Sequence, residues 1–149
     1  MNSNELRTTV QIFDDLTTRE LYEILKARSA VFVVEQNCPY QDLDNIDLSA
    51  VHITLWNSNK VMAYCRVFKS EQHVGLWHIG RVITTVRNRH YGLHIMKEAL
   101  RCAKNYGATI VEIEAQCQAL GFYQKLGFQQ CSAEFMLDGI PHKRMKIEL

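Results

Sequence analysis

Trp77-His78-Ile79-Gly80-Arg81-Val82-Ile83-Thr84-Thr85-Val86-Arg87-Asn88-Arg89-His90-Tyr91-Gly92-Leu93-His94-Ile95-Met96 joins three different local signals. Leu76 to Thr84 is rich in strand formers. Arg87 to Gly92 is a polar, basic turn. From about Leu93 to Asn105 apolar residues recur at helical spacing, with Leu93, Met96, Ala99, Leu100 and Ala103 on one face, and Gly107 is placed to end the helix. Amides at a helix start have no partner inside the helix, and the helix dipole adds partial positive charge there. A strand–turn–helix of this kind is a ready seat for a pyrophosphate. Gly92 leaves room for a ligand to approach the backbone, and Arg87 and Arg89 add positive charge. The competing reading is a solvated helix cap.

Outward from this stretch, the chain alternates strands and helices. Val10 to Phe13 reads as a short first strand. Thr17-Thr18-Arg19-Glu20 fits a capping box, and the helix behind it runs to about Val34 with a break before its end. Gln36 to Asp47 reads as a loop with a short helix. Val51 to Trp56 and Lys60 to Phe68 form a hairpin across Asn57-Ser58-Asn59. Downstream come a strand over Thr109 to Ala115 and a helix over Ala119 to Leu126 stopped by Gly127. A last strand pair, Phe128 to Leu137 and His142 to Leu149, turns at Asp138-Gly139. The order β-α-(α)-β-β-β-α-β-α-β-β predicts one α/β (α+β) domain over residues 1–149, a mixed central sheet with helices on both faces.

The chain has 149 residues, a formal net charge of +1 and five cysteines. The near-balance of charge argues against nucleic acid as a partner. Met1 to Gln11 carries no long apolar run, and no stretch is long enough to span a bilayer, so neither a signal peptide nor a membrane partner is expected. The odd cysteine count without a Cys-x-x-Cys pair predicts reduced thiols and a cytoplasmic protein with no metal cluster.

Two motifs together resemble the GNAT family of N-acetyltransferases. Arg87-x-x-His90-x-Gly92 is similar to its phosphate-binding turn, and Gln116-x-x-Ala119-x-x-Phe122-Tyr123-x-x-x-Gly127-Phe128 to its second signature. Arg28-x-x-x-Phe32-Val33-Val34-Glu35-Gln36, Tyr40-x-Asp42-x-Asp44, Ile79-Gly80-Arg81-Val82 and Asp138-Gly139-Ile140-Pro141-His142 resemble the ElaA-like subgroup. One departure is that His90 stands at the family's first turn glycine, and Asn88 where many members have another. Asn tolerates a left-handed backbone, so Asn88 suits the turn.

The resemblance implies an acetyl-CoA-dependent acyltransferase in which an amine attacks the thioester directly. It implies that Val82, Ile83 and Thr84 bond the pantetheine arm with their backbone. Arg87, Asn88, Arg89, His90, Tyr91 and Gly92 would hold the pyrophosphate, Gln116 would touch the arm, and a backbone N–H near Val82 would hold the oxyanion. Tyr123 matches the residue that protonates the departing thiolate; the alternative is a helix residue packed on the core. Glu35, His142 and His78 are each candidates for the base. Glu35 would otherwise pair with Arg28 or Arg81, and His142 would fix the turn at Pro141.

Asp42, Asp44 and Asp47 lack the ligand spacing of a calcium loop and read as a solvated acidic loop, or one that draws in a cationic substrate. His90 and His94 have zinc-like spacing without a third ligand, so no metal is expected. A coenzyme A-binding sensor that has lost turnover is the rival function, and transfer of a larger acyl group a third. The acceptor stays open among a small amine, a peptide N-terminus and a protein lysine. The last strand is expected to present an apolar edge that would admit a homodimer.

Overall fold

Thr17 and Glu20 close the expected capping box: the Glu20 amide donates to the Thr17 hydroxyl at 3.1 Å, and the Thr17 amide donates to the Glu20 carboxylate at 2.9 Å. The helix they start, α1 (Thr18–Arg28), continues through a wider π-helical segment, Ser29–Glu35. That change of pitch is the expected break; segments of this kind interrupt the regular backbone ladder and re-aim the chain beyond them. These features come from a computed structural model whose described residues are 5–149. Residues 1–4 of the stretch read as leaderless lie outside the described residues.

Eight strands make one mixed sheet: β1 (Leu6–Ile12), β2 (Val51–Asn57), β3 (Lys60–Lys69), β4 (Leu76–Thr84), β5 (Ile110–Gln116), β6 (Gln129–Gln130), β7 (Phe135–Leu137) and β8 (Ile140–Glu148). Their order is β1-β2-β3-β4-β5-β8-β6, with β7 also on β8. Among the described residues only β4 and β5 pair in parallel. The connection between them carries α2 (Tyr91–Asn105), as a parallel crossover requires. A 3₁₀ turn, Cys117–Ala119, leads from β5 into α3 (Leu120–Lys125).

Alternation along β2 and β3 sorts side chains into two layers. Ile53, Leu55, Ala63 and Cys65 pack with Ile95, Met96 and Ala99 of α2. Trp56, Tyr64 and Ile83 pack with Ile24 and Ala27 of α1. The mixed sheet with helices on both faces is therefore observed.

Three expectations change. The first strand begins at Leu6 rather than Val10; β1 is an edge strand whose residues are all exposed or half-buried, so its first half shows no apolar alternation. The strand expected over Phe128 to Leu137 is two short pieces, because the chain leaves the ladder between them and the Arg144 amide donates to the Ser132 hydroxyl instead. The last strand is not an edge: β8 lies between β5 on one side and β6 and β7 on the other. The exposed apolar edge is β1, through Leu6, Val10 and Ile12. Among the described residues no helix is long and apolar enough to cross a membrane.

Candidate active site

The parallel pairing of β4 with β5 covers only Leu76–His78 against Ile110–Glu112. Beyond those positions β5 keeps its pairing with β8 as far as Gln116, while β4 keeps β3. The two central strands thus part in the middle of the sheet. A second irregularity lies on β4: between the pairs Arg66↔Gly80 and Tyr64↔Ile83, β3 spends one residue and β4 spends two, Arg81 and Val82. Arg81 takes φ 52, the left-handed region. Arg81 and Val82 have no register partner on either side, so the ladder is locally disrupted there.

The parted strands open a cavity of about 760 Å³. Val82, Ile83 and Thr84 line one wall, and Gln116, Tyr123 and His142 also border it. The turn from Arg87 to Gly92 lines it as well. Asn88 and His90 sit at φ 61 and 59, so both glycine substitutes adopt the left-handed backbone. Residues of alternating hand turn successive amides to one side and make a concavity for an anion. α2 begins at Tyr91, two residues earlier than its periodicity suggests, and no side chain caps it. Its first internal bond is His94 N to His90 O at 3.2 Å, so the amides of Tyr91, Gly92 and Leu93 precede the helical ladder. A Cβ at Gly92 would meet Phe122 and Thr84 only at 3.5 Å or more, an ordinary contact, and its φ is not positive. Nothing in the surrounding protein demands glycine there.

Tyr123 packs edge-on against Phe122 and Phe128 while bordering the cavity. Burial, and then the proximity of Cys65, push its phenol above the ordinary value, so it holds its proton. His142 is 7% exposed. Its Nδ1 lies 2.7 Å from the Ile140 carbonyl, which fixes Nδ1 as the donor and Nε2 as the lone-pair nitrogen. It stacks on Phe135, and it stands opposite Gln116 across β5 and β8. His78 borders the same cavity and stacks on Phe68.

Glu35 is placed differently from the other candidates. It is not among the residues that line the cavity, and its carboxylate accepts from Arg87 Nη2 at 2.5 Å. Arg87 Nη1 also donates to the Thr84 carbonyl at 2.7 Å. The alternative partners, Arg28 and Arg81, are taken elsewhere. The neighbouring Gln36 reaches across to Gln116, each amide donating to the other at 3.3 and 3.5 Å.

The acidic loop is not solvated. Arg28 donates to Asp42 and Asp47, Arg66 to Asp44 and Asp47, and Arg81 to Asp42 and Asp44. Three aspartates and three arginines cancel, so the loop offers little net field to a cationic substrate. Burial pushes the carboxyls of Asp44 and Asp47 up, but arginine hydrogen bonds and charges outweigh it and hold both below the usual range. The sequence reading missed this network. The available signal was Arg66 inside the apolar run Val61 to Phe68, since an arginine in a buried strand needs carboxylate partners.

The family described as acetyltransferase (GNAT) domain matches residues 14–149. A UPF0039 protein of Schizosaccharomyces pombe is 38% identical, covering 98% of this chain and 99% of its own. Among solved structures, ElaA of Escherichia coli superposes with a TM-score of 0.90 at 35% identity, covering 97% of this chain and 100% of that one. An acyl-CoA N-acyltransferase of Pseudomonas aeruginosa gives 0.89 at 35% identity, covering 95% and 99%. With the parted strands, the left-handed turn and the uncapped α2 already in place, these matches mean that the chain belongs to the GNAT acetyltransferase family, in its ElaA-like branch.

Proposed function

We propose that this acyltransferase-family protein moves an acetyl group from acetyl-CoA to an amine, with the coenzyme between β4 and β5. The observation that carries this reading is continuity. A stretch of β4 backbone without partners on its β5 side, broken on its β3 side by the bulge, runs into the left-handed turn and the uncapped start of α2. An extended polar arm ending in a pyrophosphate matches that sequence of unsatisfied groups, and the space spared at Gly92 suits it. Backbone groups of Val82, Ile83 and Thr84 would hold the arm. The amides from Asn88 to Gly92, with Arg87 and Arg89, would hold the phosphates.

Acetyl-CoA supplies the thioester carbonyl that the amine attacks. The Val82 backbone, outside the ladder, stabilises the oxyanion that forms. Tyr123, at the cavity's edge, gives its proton to the thiolate as it departs. His142 Nε2 removes the amine's proton, because its Nδ1 is already committed to Ile140. Glu35 orients Arg87 at the turn rather than serving the amine. The acceptor is a small-molecule or peptide amine. All five thiols are free, which suits a reducing compartment and is the support for a cytoplasmic location. The exposed β1 edge is where a homodimer would form.

Thiol release from acetyl-CoA, followed across a panel of small amines and peptides, tests the reading. Release that depends on one amine, with its N-acetyl product, is expected. Coenzyme binding without release on any amine favours the sensor that has lost turnover.

A further inference from the structure

Arg81 occupies a backbone conformation that arginine does not choose. At φ 52 its Cβ crowds the following carbonyl, the reason that glycine usually holds such positions. Here the side chain supplies what a glycine could not. Arg81 Nε donates to Asp42 Oδ1 at 2.7 Å, and Nη2 donates to the Asp42 carbonyl at 2.9 Å and to Asp44 Oδ2 at 3.3 Å.

The receiving side has other partners of its own. Asp42 also accepts from Arg28 Nε at 3.0 Å and from the Tyr40 hydroxyl at 3.2 Å. Asp44 accepts from Arg66 at 2.6 and 2.8 Å. Arg28 is fully buried and Arg66 nearly so. The rings of Phe32 and Tyr40 flank the Arg81 guanidinium at 6.0 and 5.6 Å. The bulge that takes Val82 out of the ladder is therefore tied to a largely buried ionic cluster that itself borders the cavity. No backbone preference of its own holds it there.

We propose that Arg81 is a positioning residue for acetyl transfer: clamped on Asp42 and Asp44, it holds the β4 bulge in its left-handed turn and so keeps the Val82 backbone free at the cavity wall. This rests on the acetyl-transfer reading for its consequence in catalysis, and on the backbone alone for its structural half. Arg81 acts through Val82 and not on the substrate. Glycine enters the left-handed region without strain, so it dispenses with the clamp; alanine needs the clamp and cannot form it.

Arg81→Gly and Arg81→Ala separate these roles. The readouts are kcat and KM for acetyl-CoA with the fastest amine of the panel, and the backbone amide spectrum of the free protein at residues 80–83. Arg81→Ala is expected to displace the Val82 and Ile83 signals and lower kcat about tenfold, with KM for acetyl-CoA within about twofold. Arg81→Gly is expected to keep those signals near their wild-type positions and kcat within about threefold. Should Arg81→Ala not fold, Asp42→Asn with and without Arg81→Gly makes the same comparison, and the glycine is expected to rescue. Equal loss in the glycine and alanine variants overturns the proposal, because the guanidinium then acts directly. Wild-type kcat and spectra in both overturn it too, because the ion pair then contributes only stability. If the wild-type protein acetylates no amine, the acetyl-transfer reading fails by itself, and the spectra decide the clamp: alanine displaced with glycine preserved upholds it, and like behaviour in both removes it.

Discussion

The proposed acid, Tyr123, and the proposed base, His142, sit in two different environments. Tyr123 packs among Phe122 and Phe128 and borders the cavity. His142 is oriented by the Ile140 carbonyl, which leaves one nitrogen to accept. Tyr123→Phe removes the donor and little else. It is expected to lower kcat by about 10²-fold, the usual worth of a positioned acid, while acetyl-CoA affinity by calorimetry stays near wild type. His142→Gln is expected to lower kcat by a similar order with KM for acetyl-CoA unchanged, checked in the same steady-state assay. That both border one cavity was legible in part, since Tyr123 falls in the Phe-Tyr-x-x-x-Gly-Phe signature and His142 follows the Asp138-Gly139 turn. What spacing did not reveal was Glu35 facing Arg87. That pair joins residues 52 apart in sequence, and nothing local to either announces the other.

At the scale of elements, the turn and the start of α2 act as one device. Arg87 and Arg89 bring charge to a helix end whose first amides precede the ladder. Replacing both with alanine is expected to weaken acetyl-CoA binding by about tenfold at low salt and by less at ~1 M, where the Debye length shrinks to about 3 Å. Unchanged affinity at low salt would place the phosphates elsewhere. The turn was readable because strand propensity, a polar hexapeptide and helical periodicity succeed one another without a gap. The parting of β4 from β5 was not readable from β4 and β5 themselves. Both carry continuous strand signals, and where a ladder stops depends on the neighbours of each strand. The Asp42–Asp44–Asp47 loop failed in the other direction. Three carboxylates in a loop look solvated until the fold brings Arg28, Arg66 and Arg81 to them.

Across the whole molecule, the ionic cluster links the first helix, the loop behind it and the two strands that carry the bulge. Its signature is a dependence of stability on pH. Asp44 and Asp47 ionise more readily in the folded chain than at their ordinary value of 3.8, so the native state binds fewer protons. Their contribution is complete above about pH 4 and is lost as pH falls through the lower folded values. Urea midpoints should therefore fall steeply below about pH 4, and Asp47→Asn should flatten that fall. Helices on both faces of a mixed sheet were foreseen from the order of the elements, whereas the edge was misassigned because β8 reads as a terminal strand yet gains partners on both sides. The proposed coenzyme site depends on the gap that this topology opens. Amide hydrogen exchange with and without acetyl-CoA is the sharpest probe of that gap. Protection is expected at residues 79–84, 87–93 and 113–116, the two parted strands and the turn. Protection confined to other segments, or none at saturating acetyl-CoA, would mean that the coenzyme does not lie between β4 and β5.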